Sequence, residues 1–419
     1  MKRTAVEVAI EKALKDGYWF GVRMAMIESE WSDVQDVLAI CGAMRRAMEL
    51  PPKERDTAFA VLAPMAYSLE GDAAHEAYFT HGLPVLIEYF DDLAPRVQED
   101  KQWATLVHSL RVMVELKAPE TLDRLTAAAR HPDARSFFWT VLFRILSSHP
   151  WKEDVLNRLS LQLPRGAALS AFLDWANQLC LQDKCARHPF DSEAGVQTLS
   201  AMIEHTHPDE DGHAISAIVA FAFIDRPERN RLLAIALDHP NAGVQMEAAW
   251  VAASLGREAG FRMLGQFCLL SEKAEIARRY LREFGREDMI PAEGRDPDFV
   301  AESTMVSWLR HPMEFGRSPD QIELYDTREL FWPPTDDKRR VWLFKFVYRN
   351  KEKAAEETGL GMVGSVTFAL SSETTADLTP EDAYAIHCCW ELQMNKDPRA
   401  PEKRTAAIGR AILAQANGW

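Results

Sequence analysis

The residues able to do chemistry are few and clustered. The densest cluster is His205-Thr-His207-Pro-Asp209-Glu210-Asp211-Gly-His213, where imidazoles and carboxylates alternate at spacings a zinc or other transition-metal ion can use. Glu210 stands where such a string needs a further histidine, and the segment follows a helical pattern rather than a strand. We therefore read His205, His207, Asp209, Asp211 and His213 as an exposed corner between helices, with metal ligation the weaker alternative, and expect no resident metal or cofactor. Cys180, Cys185 and His188 spell C-x4-C-x2-H, looser than the knuckles of structural zinc sites and without a fourth ligand nearby. In His387-Cys388-Cys389 the neighbours point about 100° apart around a helix, so the imidazole is poorly placed as a base for either thiol. A packed, hydrogen-bonded core histidine is expected there. Phe331-Trp332-Pro333-Pro334 could dock an extended peptide through Phe331 and Trp332, or could act as the clip that seals the hairpin against the solenoid; the clip is the favoured reading. The sequence holds no Gly-rich phosphate loop, no G-x-S-x-G elbow and no H-E-x-x-H helix, so no catalytic residue is assigned.

Charge narrows the function classes. Lys and Arg number 48 against 63 Asp and Glu, a net charge of −15, and neither part of the chain on either side of Ile290 is basic. Neutralising phosphates needs a cationic surface, so nucleic acid and anionic membrane surfaces are disfavoured partners. No apolar run approaches the ~20 residues of a membrane span, and Glu7 interrupts the start before a signal-peptide core can form. A cytoplasmic location is expected. The six cysteines lack a framework spacing, which fits free thiols in a reducing compartment.

The elements that must position these residues are mainly helical. From Thr4 to about Gly285 apolar residues recur every three or four positions in segments broken by Pro, Gly or Asp. The segment Pro119 to Ala134 aligns without gaps to Pro227 to Ala242 and is identical at seven of sixteen places, the shared residues including Leu125/Leu233, Ala128/Ala236 and the His131-Pro132/His239-Pro240 pairs. Helix pairs starting near Pro119, Trp151, Ser192, Pro227 and Arg257 fall within the 20 to 50 residue period of a solenoid. Six of the twelve histidines precede proline, namely His131, His149, His188, His207, His239 and His311. Proline moves its predecessor out of the α region and starts the next helix well, so each His-Pro reads as a helix-to-helix corner, with Asp133, Asp209 and Asn241 placed as N-caps.

A helix ending Ala236-Leu-Asp-His239-Pro-Asn-Ala, followed by Val244-Gln-Met-Glu-Ala-Ala-Trp-Val-Ala-Ala-Ser-Leu-Gly256, resembles the HEAT-like repeat seen in phycobilisome lyase proteins. The resemblance is clearest from 119 to 285. It implies an α-solenoid, a right-handed superhelix of helix pairs, usually with a scaffold or partner-binding role, and it carries no catalytic residue.

After Ile290 the pattern changes. Residues 291–321 read as a linker plus one helix, Asp298 to Arg310, with Trp308 on its apolar side. Residues 322–419 read as a small α+β cap. In it Trp342, Phe344, Phe346 and Tyr348 share one strand face, Met362 to Leu370 forms a second strand, and Asn350 to Gly361 is the long loop of the hairpin. Thr379-Pro380 starts a helix, and Glu402 to Ala416 forms the last one. The expected whole is a HEAT-like solenoid over 1–290 with an α+β C-terminal domain, acting as a non-enzymatic scaffold or adaptor for a protein partner. The alternative is a helical-repeat enzyme or cofactor-handling protein, lyase-like or glycosylase-like, with a site its motifs do not reveal.

Overall fold

The computed structural model describes residues 4–28, 33–204, 211–350, 355–370 and 378–418. Among them lie 20 α-helices and one four-stranded antiparallel sheet. The chain divides into two compact units, residues 1–236 and 237–419, so the helices from Ala242 to Glu283 belong to the second. No helix among the described residues is long and apolar enough to cross a membrane.

In the first unit some helices begin where a side chain satisfies their free amides. At Ala5–Asp16, Thr4 Oγ1 accepts from the Glu7 N–H at 3.2 Å while Glu7 accepts from the Thr4 N–H at 2.9 Å, a reciprocal cap. The core is aromatic. Trp103, Trp139, Phe143 and Phe172 are buried, and the Phe143 ring lies 5.4 Å from that of Trp175. The Gly166–Leu181 helix packs on Phe138–Leu146 and on Asp211–Ala220, and the last also packs on Glu193–Glu204.

The His-Pro corners share one device. Nδ1 of His131, His149, His188, His239 and His311 accepts the backbone N–H two residues on, at 3.2, 3.2, 3.3, 3.0 and 3.2 Å respectively. Proline has no N–H to offer, so the imidazole takes the next donor in line, as an Asx side chain does in a turn. At His131, His149, His188 and His311 the carbonyl also accepts from the N–H three residues on, a β-turn with proline at its second position. The sixth corner, His207, lies outside the described residues.

The expected N-caps split. Asn241 Oδ1 accepts from Gly243 at 2.7 Å and Val244 at 3.4 Å and caps Ala242–Ser254. Asp133 caps nothing, because the chain after His131 runs on without a helix until Phe138, and its carboxylate meets Arg135 instead at 3.4 Å. The repeat identity thus covers a helix and its corner but not the segment beyond the corner. His239 is buried.

The second unit carries the sheet. Strands β1 (Gln321–Trp332), β2 (Asp337–Asn350), β3 (Ala355–Val363) and β4 (Thr367–Leu370) form a meander in the order β1-β2-β3-β4. This replaces the expected two-stranded hairpin: β1 was not anticipated, β3 occupies much of the expected Asn350 to Gly361 loop, and the expected Met362 to Leu370 strand breaks into the end of β3 and β4. Phe344, Phe346 and Tyr348 pack on Ala301, Met305 and Leu309 of the Pro297–Leu309 helix. On the opposite face Leu330, Val341, Leu343 and Met362 pack on Tyr384, Cys388 and Leu392 of Pro380–Met394 and on Leu413 of the Ala406–Asn417 helix. Covering both faces supplies what four strands alone lack. Gly361 permits it: a Cβ there would come within 2.4 Å of Met305 Sδ.

Candidate functional site

In the first unit the Gly166–Leu181 helix places Ser170, Asp174 and Asn177 four and three residues apart, hence on one face. That face meets His213 and Ser216 of Asp211–Ala220, making a polar seam between two otherwise apolar helices. Ser170 Oγ lies 2.6 Å from His213 Nδ1. Asn177 Nδ2 donates to the Ser216 carbonyl at 2.8 Å, and its Oδ1 accepts from His188 Nε2 at 3.0 Å. With Nδ1 of His188 accepting from Phe190, both nitrogens of that buried ring are committed. Burial holds the His188 imidazole down at about 4, against the opposing charge of Asp191. Asp174 keeps an exposed edge, yet burial among the helices raises its carboxyl above the ordinary range, with Ser216 and the His213 charge acting the other way.

A groove runs beside this seam. A recess of about 900 Å³ is lined by Ser170, His213, Gln197, Thr198 and Met202. A second recess of about 470 Å³ is lined by Asp100, Pro132, Arg135, Phe137 and Phe138, and the two share Gly166 and Ala167. The shared edge depends on glycine, since Gly166 has φ +52° and a Cβ would meet the Ala134 carbonyl at 2.5 Å. Ala167 N–H then donates to that same carbonyl at 2.7 Å. At the head of the groove Phe137 stands 79% exposed, carried by the strained Ser136 at φ 107°. Phe138 beside it packs on His108, ring centroids 4.1 Å apart, and Tyr67 O–H lies 2.8 Å from His108 Nδ1 with Arg111 stacked 3.7 Å above the Tyr67 ring. Burial, helped by the Arg111 charge, holds His108 at about 4. The exposed Asp100 and Asp133 both face Arg135, at 3.6 and 3.4 Å.

The sequence candidates fare unevenly. His205, His207 and Asp209 lie outside the described residues, as does the side chain of Asp211; His213 is described, and its Nδ1 is engaged by Ser170. Among the described residues no three His, Cys, Asp or Glu side chains converge as metal ligands. His188 cannot complete a C-x4-C-x2-H site with both nitrogens used. Trp332 is fully buried, its indole N–H donating to the buried Glu391 at 2.7 Å, so it offers no docking surface. The neighbouring Phe331 exchanges two backbone hydrogen bonds with the Asn417 side chain, at 2.7 and 3.1 Å. The segment is a clip, but onto the last helix of its own unit. His387 is buried as expected, yet neither ring nitrogen has a hydrogen-bond partner among the described residues, which corrects the expected bonded histidine.

No protein-family model and no curated protein matches this chain. Its chemistry must be read from its own geometry. Sequence reasoning missed Phe137, Ser170, Asp174 and Asn177. A signal existed for the last three, polar residues recurring on one face of an apolar helix. None existed for Phe137, which reads as the start of the apolar run Phe137-Phe138-Trp139.

Proposed function

We propose that the chain is a non-catalytic, HEAT-like α-solenoid scaffold that binds a protein partner along the groove from Phe137 to Met202. The observation that carries this reading is Phe137, a large apolar side chain held 79% exposed on a strained, non-helical segment at the head of a groove. Such an anchor gains most when a partner buries it, and aromatic anchors dominate interface energetics. The net charge of −15 favours a partner segment with an apolar side chain flanked by cations. Purification from native cells under mild conditions tests it. A protein partner should accompany the chain stoichiometrically and be lost on Phe137→Ser with Phe138→Ser, while the fold is kept. Recovery of the wild type only as a lone monomer would contradict the reading.

A second reading, an enzyme, rests on the Ser170–His213 hydrogen bond at 2.6 Å, the pairing an activated serine requires. A fluorophosphonate probe decides it. Labelling of Ser170 that disappears in His213→Gln would support an enzyme, and an unlabelled Ser170 removes that reading.

A further inference from the structure

In the second unit the described residues of strand β1 and of the last two helices leave a recess of about 200 Å³ between them. Its apolar lining is Leu330 of β1, the ring of Tyr384 on Pro380–Met394, and Leu413 and Ala414 on Ala406–Asn417. The two helices touch at Gly409, where a Cβ would come within 2.1 Å of the Ala385 carbonyl oxygen. One turn on, Ala414 contributes only a methyl group and the space stays open. Half-buried Arg328 and exposed Glu381 and Arg410 complete the lining, and all three are paired. Arg328 donates to Glu381 at 2.5 Å and to Asp326 at 2.6 Å, and Arg410 forms an ion pair with Asp382. Two guanidinium groups thus meet three carboxylates, which leaves no spare positive charge for an anion, and apolar walls make the burial of any ion costly. Tyr384 is the exception to this saturation. It is 1% exposed, and its O–H has no hydrogen-bond partner among the described residues. Burial, with the Asp326 charge acting the same way, raises its pKa well above the ordinary tyrosine range, so it remains a donor.

We propose that this recess binds an uncharged one-ring molecule bearing a single carbonyl group, its ring against Leu330, Leu413 and Ala414 and its oxygen accepting from Tyr384 O–H. Size sets the ring count. An apolar cavity of about 150 Å³ holds benzene, so about 200 Å³ takes one ring with a short substituent. The paired rim and apolar walls set the lack of charge. The unpartnered hydroxyl sets the carbonyl, because a buried donor gains from an acceptor, and a carbonyl accepts without adding a second donor that the walls cannot satisfy.

Calorimetric titration of the whole chain with acetophenone, ethylbenzene and benzoate tests the proposal, since the three are alike in size and only acetophenone is both neutral and a carbonyl compound. The wild type should bind acetophenone and ethylbenzene one to one, and benzoate at least about tenfold more weakly than acetophenone. Tyr384→Phe keeps the ring and removes the hydroxyl, so its melting temperature should not fall. It should weaken acetophenone about tenfold, the worth of one hydrogen bond, and leave ethylbenzene within about twofold. Ala414→Leu fills the recess and should abolish binding of both without lowering the melting temperature. No binding to the wild type, benzoate binding more tightly than acetophenone, a Tyr384→Phe effect that is equal for acetophenone and ethylbenzene, or binding that survives Ala414→Leu would each overturn it.

Discussion

Two buried histidines, His188 in the first unit and His387 in the second, are treated in opposite ways. His188 in the first unit uses both nitrogens, on the Phe190 amide and on Asn177, and so ties a corner to the seam beneath the groove. His387 in the second lies against Phe368 at 5.2 Å, edge to face, with neither nitrogen bonded among the described residues. The first unit uses buried polarity to fix where helices sit. In the second unit apolar layers cover both faces of the sheet, and beside them the unbonded His387 ring is a cost rather than a joint, whereas the Trp332 indole and Glu391 are joined by a buried hydrogen bond. A unit that positions by directional bonds can hold an open groove and an exposed Phe137, because its helices need not close over each other to be placed.

The largest test of that contrast lies in the second unit. Trp332→Ala removes a fully buried ring and leaves Glu391 without its indole donor, and should cost about 3–5 kcal/mol in denaturant unfolding. A loss below about 1 kcal/mol would mean the sheet core does not depend on it.

Acid should act next. His108 and His188 are held at about 4 and His387 at about 3, each chiefly by burial, against an ordinary 6.5. The unfolded chain therefore takes up protons that the folded chain refuses as pH falls below about 6.5. Stability is full above that value and falls as pH drops toward the folded values, by on the order of 3 kcal/mol for His188 alone. Melting temperature measured from pH 7 to pH 4 checks it. His188→Leu should flatten part of this slope while losing about 2 kcal/mol at pH 7, because it strands Asn177 and the Phe190 amide. His387→Leu should flatten the slope too, but at pH 7 should be neutral or stabilising by about 1 kcal/mol. Equal losses from the two would erase the contrast between the units.

The smallest test concerns the corners. Asn241→Ala should cost about 0.5–2 kcal/mol, while Asp133→Ala, exposed and capping nothing, should stay within about 0.5 kcal/mol.

Local chemistry was legible in the sequence where it is self-contained. Thr379-Pro380 starts a helix as read, with Thr379 Oγ1 accepting from Asp382 at 3.3 Å, and the aromatic face of β2 was assigned to the correct side. β1 was hidden because a register shift between Leu324 and Asp326 breaks its alternation, and because its edge position tolerates charged residues. β3 was hidden because Gly359 and Gly361, small so that Phe346 and Met305 can approach, erase the apolar pattern. The groove was legible only as polar residues recurring on one face of an apolar helix. Ser170 and Asp174 become meaningful only once His213, 43 residues from Ser170, is known to face them. Asp133 and Asn241 occupy aligned positions, yet only Asn241 has a helix starting at the next residue, and that decides which of them caps.

The central claim is that the groove headed by Phe137 receives a protein partner, and crosslinking from that position tests it most directly. A photoreactive phenylalanine placed at 137, or at the still more exposed control Leu161, would be irradiated in the whole chain in native cells. The account predicts one dominant covalent adduct with another protein from position 137, absent from 161 and lost on adding Phe138→Ser. The same adducts from both positions, or none from 137, would contradict it.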